Sequence, residues 1–128
     1  MKLLLDTHIF LWLNASPEKI TEAVRLACEN ENNALYLSMA SVWEMQIKQQ
    51  LGKLQFNTPW RDMLDIQQQD NGLIVLPIEL AHIEALQALP AVHRDPFDRL
   101  LIAQAIQESM TIVTVDGSFA EYPVSIIA

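Results

Sequence analysis

The chain has 128 residues, 51% hydrophobic and 19% charged, with 16 acids against 8 bases and a net charge of −8. That predicts one domain, residues 1–128, with enough apolar surface to bury a core, and it excludes a disordered chain. One cysteine rules out a disulfide framework and a cysteine zinc cluster, and three glycines leave no glycine-rich phosphate cradle. The acidic balance disfavours sequence-blind adhesion to nucleic acid or anionic membrane.

The first residues, MKLLLDTHIFLWLNAS, imitate a signal peptide, but Asp6 and His8 interrupt the apolar run. The segment reads as part of a mature cytoplasmic protein, and no window reaches the ~18 apolar residues of a membrane helix. Lys2–Leu5 predicts a buried strand ending at Asp6. Ser16-Pro17 predicts a helix to about residue 30, with the cap residue followed by proline. Ala34–Ser38 predicts a second strand, and Ser38 caps a helix over 39–51 that Gly52 stops. Thr58-Pro59 predicts another helix to about residue 70, and Asn71-Gly72 a turn. A third strand is expected over 73–76, and a helix over 79–88. Asp95-Pro96 opens a long helix to about residue 108. Strands over 111–115 and 124–127 complete the set. Strands that alternate with helices and run continuously apolar predict a mainly parallel sheet of four to five strands, covered on both faces. In such sheets ligands bind beyond the carboxyl ends of the strands.

Two acids follow strands directly, Asp6 and Asp116. Two more come from helix phase. On the helix after Ser38, the apolar arc is drawn through Met39, Val42, Trp43, Ile47 and Leu51, and Glu44 borders it. On the helix after Pro96, Asp98 falls inside the face made by Phe97, Leu101, Ile102, Ala105 and Ile106. A carboxylate buried without a partner costs several kcal/mol. Each acid also has a plainer explanation. Glu44 can pair with Lys48 at i,i+4, and Asp95 and Asp98 can cap their helix. Asp6 can cap a short helix starting at Thr7, and Asp116-Gly117 can be a turn. Jointly the four suggest one rim of acids that would repel one another unless hard divalent cations sit among them. Metal-assisted phosphodiester hydrolysis follows as the leading expectation.

Four segments, LLLDTHIFLW at 3–12, SVWEMQIKQQLGKL at 41–54, HRDPFDRLLIAQA at 93–105 and TIVTVDGSF at 111–119, together resemble the PIN domain in its VapC-type toxin branch. The resemblance spans nearly the whole chain in order. It implies a three-layer α/β/α fold, a Mg2+ or Mn2+ site, RNA cleavage, and a homodimer inhibited by a cognate antitoxin. It assigns the four acids to Asp6, Glu44, Asp98 and Asp116, the hydroxyl after the first acid to Thr7, and the threonine before the last to Thr114. It leaves open the role of Asp95, a nearby supporting acid.

Lys48, Lys53, Arg94 and Arg99 lie near the same segments and can grip phosphates at the rim, or simply be solvated. His8 and His93 are expected to pack or hydrogen-bond rather than react, and His82 carries no signal. Trp12, Trp43 and Trp60 are expected in the core or at a subunit contact, and Cys28 as core packing. Two other functions compete. An aspartyl-phosphate phosphatase would use Asp6 as nucleophile, but its second acid, two places on, is here His8. A non-catalytic module would bind RNA or a partner without cutting.

Overall fold

The computed structural model describes residues 1–53, 58–91 and 95–128. Among these residues, five strands form one parallel sheet: β1 (Lys2–Leu5), β2 (Ala34–Ser38), β3 (Ile74–Leu76), β4 (Thr111–Val113) and β5 (Ile126–Ile127). Their order across the sheet is β3-β2-β1-β4-β5. The chain builds outward from β1 on one side, then returns to build outward on the other. The switch point therefore lies between β1 and β4, where the fold class places its ligand crevice.

Among the described residues, six α-helices join them: α1 (Thr7–Ala15), α2 (Glu22–Glu29), α3 (Met39–Gln50), α4 (Trp60–Asn71), α5 (Leu80–Ala85) and α6 (Pro96–Gln107). The sheet divides the core in two. Leu3 and Leu5 face one cluster with Phe10, Val24, Leu37, Met45 and Met63, so α1 to α4 cover that face. Leu4 faces the other with Leu101, Ile102, Ile112, Phe119 and Tyr122, so α6 covers the opposite face. This is the expected three-layer arrangement. No helix among the described residues is long and apolar enough to cross a membrane.

Three local expectations need correction. Ser16-Pro17 opens only a 3-10 turn over Pro17–Lys19. Ile20 then returns to extended backbone, and Thr21 caps α2 by accepting from Val24 N–H. Thr58 does not cap α4. Pro59 holds the cap position without a side-chain bond, and Trp60 N–H finds Gln49 Oε1 of α3 at 3.2 Å instead. The buried arc of α3 runs through Ala40, Ser41, Val42 and Met45, while Met39, Trp43 and Leu51 are exposed. Trp43 is 61% exposed and is not core, whereas Trp12 and Trp60 pack against the first cluster.

Candidate active site

Strand register builds the site. Leu5 pairs with Leu37 on one side and with Val113 on the other. The next residues, Asp6, Ser38 and Thr114, therefore leave the sheet side by side along its carboxyl edge. All three are buried.

Asp6 has the backbone angles of a helix cap, but its side chain makes no capping bond to α1. Its Oδ2 instead accepts from Thr114 Oγ1 at 2.8 Å. Thr114 Oγ1 in turn accepts from Asp116 N–H at 3.0 Å, so one hydroxyl ties Asp6 to the loop after β4. Asp6 is only 5% exposed. Burial raises its carboxyl pKa above the ordinary value. The Thr114 hydrogen bond and His8 pull it back, and the charge of Glu44 pushes it further up.

Thr7 joins the second acid. Its hydroxyl donates to Glu44 Oε1 at 2.7 Å and lies 2.9 Å from Ser41 Oγ. A carboxylate only accepts and a hydroxyl has one proton, so Ser41 is the donor in the second contact. Ser41 is buried on α3, three residues before Glu44. The opposite oxygen, Glu44 Oε2, lies 3.4 Å from Lys48 Nζ. The expected i,i+4 pair therefore exists, and it coexists with the bond to Thr7.

The other two acids are carried by the loop after β4 and by the first turn of α6. Asp116 is exposed, and its Oδ1 accepts from the N–H and hydroxyl of Ser118, so the expected turn is present. Asp98 is half-buried in the first turn of α6. Its neighbour Phe97 meets Trp43, the neighbour of Glu44, with ring centroids 5.4 Å apart. Asp95 caps α6, accepting from Phe97 N–H at 2.7 Å and Asp98 N–H at 3.3 Å. Among the described residues, no three acid, His or Cys side chains stand close enough to share one ion.

Of the rim cations, Arg99 donates to Pro90 O at 3.0 Å and Tyr122 Oη at 3.2 Å, and Lys53 is exposed. Arg94 and His93 lie outside the described residues. His8 is exposed. Sequence reasoning missed Ser41, Gln104 and His82, all buried and polar. Ser41 and Gln104 lie outside the apolar faces that helix phase assigns to α3 and α6.

The sequence matches the PIN domain over residues 3–124. The chain belongs to the PIN domain family. No curated protein matches it. Among solved structures, this PIN domain is similar to VapBC2 from Rickettsia felis, bound to a DNA fragment from its promoter. The TM-score is 0.73 at 20% identity, over 98% of this chain and 97% of that one. It is also similar to DNA-bound VapBC from Salmonella typhimurium, with TM-score 0.68 at 19% identity over 98% and 96%. A third similarity is to FitAcB from Neisseria gonorrhoeae, with TM-score 0.64 at 22% identity over 98% and 96%. At these identities the likeness establishes the fold.

Proposed function

We propose that this PIN domain is a Mg2+- or Mn2+-dependent endoribonuclease toxin of the VapC kind, acting in the cytoplasm and restrained by a cognate antitoxin. The observation that carries this is the Asp6 carboxylate, buried at the switch point and linked through Thr7 to Glu44 and through Thr114 to the loop of Asp116. Burial and Glu44 both oppose its ionisation, which is the environment a cation relieves.

The donor set is all oxygen, as hard cations require. Magnesium is commonly held by one or two carboxylates, with water and substrate phosphate completing the shell. The Asp6–Glu44 pair meets that need, with Asp98 and Asp116 completing the acidic rim. A bound ion supplies Lewis acidity and positive charge at the scissile phosphate. The chain supplies order. Thr114 fixes Asp6 Oδ2, Thr7 fixes Glu44 Oε1, and Ser41 holds Thr7. Lys53 and Arg94 are proposed to meet RNA phosphates at the rim, while Lys48 and Arg99 stay engaged with Glu44 and with Pro90 O and Tyr122. Exposed Trp43, Leu51, Leu80 and Ile83 offer apolar surface for a second copy of the chain in a homodimer.

The test is cleavage of a total RNA pool by purified protein in Mn2+, with the cut ends mapped. Cleavage is expected to stop in excess EDTA and in folded Glu44→Gln and Asp98→Asn variants. Cleavage that persists in EDTA contradicts the metal-dependent reading. RNA binding without cleavage by the wild-type protein identifies a non-catalytic module. Sedimentation of the protein alone is expected to show a dimer, and a monomer at micromolar concentration contradicts that part.

A further inference from the structure

Gln104 has no exposed surface, on a stretch of α6 otherwise buried through Leu101, Ile102, Ala103 and Ala105. An amide so placed is costly unless it is bonded. Its partners fix its orientation. Pro77 O can only accept, so the amide nitrogen faces it, at 3.2 Å. The amide oxygen then faces Ser38, whose hydroxyl donates to it at 2.5 Å. The same hydroxyl accepts from Ala40 N–H at 3.0 Å, in the first turn of α3. The amide nitrogen also lies 3.4 Å from His82 Nδ1, which accepts from Glu79 N–H at 3.0 Å. One side chain thus ties α6 to the exits of β2 and β3 and to the start of α5.

These bonds reach the acids through helix geometry. Ser38 meets Gln104, and Trp43 meets Phe97. The chain advances from 38 to 43 on one side while it runs back from 104 to 97 on the other. The two helices are therefore antiparallel here and joined at two rungs. Glu44 and Asp98 each follow a residue of the upper rung. That rung is a T-shaped ring contact with a largely exposed indole. The lower rung is buried and directional.

We propose that Gln104 is a positioning residue which, through Ser38, sets the separation of Glu44 and Asp98 and so the affinity of the site for a divalent ion. This rests on the nuclease reading and deepens it. The probe is Mn2+ alone. Melting temperature is followed through a MnCl2 titration of EDTA-stripped, dialysed full-length protein, for the wild type, Gln104→Met, Ser38→Ala and the double variant. Methionine keeps the length of the side chain and leaves no large cavity.

Gln104→Met is expected to raise the Mn2+ concentration for half-saturation about 10–100-fold, the usual effect of losing a residue that supports metal ligands. Ser38→Ala should act in the same direction. The double variant should shift half-saturation by less than the two single effects combined, because each single change already removes the Ser38–Gln104 bond. A lower melting temperature without Mn2+, but an unchanged half-saturation, makes Gln104 purely structural and overturns the proposal. If Gln104→Met does not fold, Ser38→Ala decides by the same criterion. A wild type that neither responds to Mn2+ nor cuts RNA overturns the nuclease reading as well. A wild type that responds, with variants that respond identically, overturns only the role of Gln104.

Discussion

Asp6 is the residue on which stability and function pull in opposite directions. Burial raises its carboxyl pKa, so the folded protein binds that proton more tightly than the unfolded chain. The resulting stability is fully present below the ordinary value of 3.8 and is lost as pH rises through the raised folded value. Metal-free Asp6→Asn, which never ionises, should therefore melt above the wild type at about pH 7, with the gap closing by about pH 3. Each ~1 kcal/mol is worth roughly 3–5 °C in a domain of this size. Added Mn2+ should reverse the order. A metal-free Asp6→Asn that melts below the wild type at neutral pH would make the carboxylate a structural acceptor. Thr114 is the counterpart. Thr114→Val removes the donor to Asp6 Oδ2 and the acceptor for Asp116 N–H together, at an expected cost of about 1–3 kcal/mol in urea unfolding. Thr114→Ser keeps the hydroxyl and should lose far less. Equal losses would trace the effect to packing alone.

At the scale of elements, two of the four expected caps were legible, and so was the apolar face of α6, but the buried face of α3 was not. Asp95-Pro96 and Ser38 announce α6 and α3 in sequence, and both caps form as expected. Asp95→Ala should cost about 0.5–2 kcal/mol and leave RNA cleavage intact, since its Oδ1 is committed to backbone donors. Lost cleavage in a folded Asp95→Ala variant would move this residue into the reactive set. The arc of α3 was misplaced for a physical reason. A hydropathy wheel assigns serine to solvent, but Ser41 is buried by its contact with Thr7. Gln104 and His82 were hidden in the same way, since a polar side chain is interior only when its partners are, and those come from distant segments. Helix α1 was visible only as a possible capping site at Asp6. Its buried run Ile9, Phe10, Leu11 follows no 3.6-residue stripe, because the helix lies deep against the sheet.

Over the whole molecule, the parallel sheet was legible because its strands are short, continuous apolar runs between helices. Strand order was not, since composition carries no record of which neighbours pair. That order brings Asp6 and Thr114 together, residues far apart in the chain. The charge of the molecule makes a separate demand. A net charge of −8 repels RNA at long range, most strongly at low ionic strength where screening is weak. Close to the site, Lys48 already pairs with Glu44, and Arg99 is bound to Pro90 O and Tyr122. Few cations remain to release counterions from RNA, and each phosphate neutralised contributes only about −0.7 to the log–log salt slope on single strands. At fixed Mn2+, kcat/KM for RNA should therefore stay flat or rise between about 20 and 150 mM KCl. Lys53→Ala should weaken binding and move the slope by no more than about 0.7. A steep fall with salt in the wild type, abolished by Lys53→Ala and Arg94→Ala together, would instead show a cationic groove strong enough to overcome the acidic field.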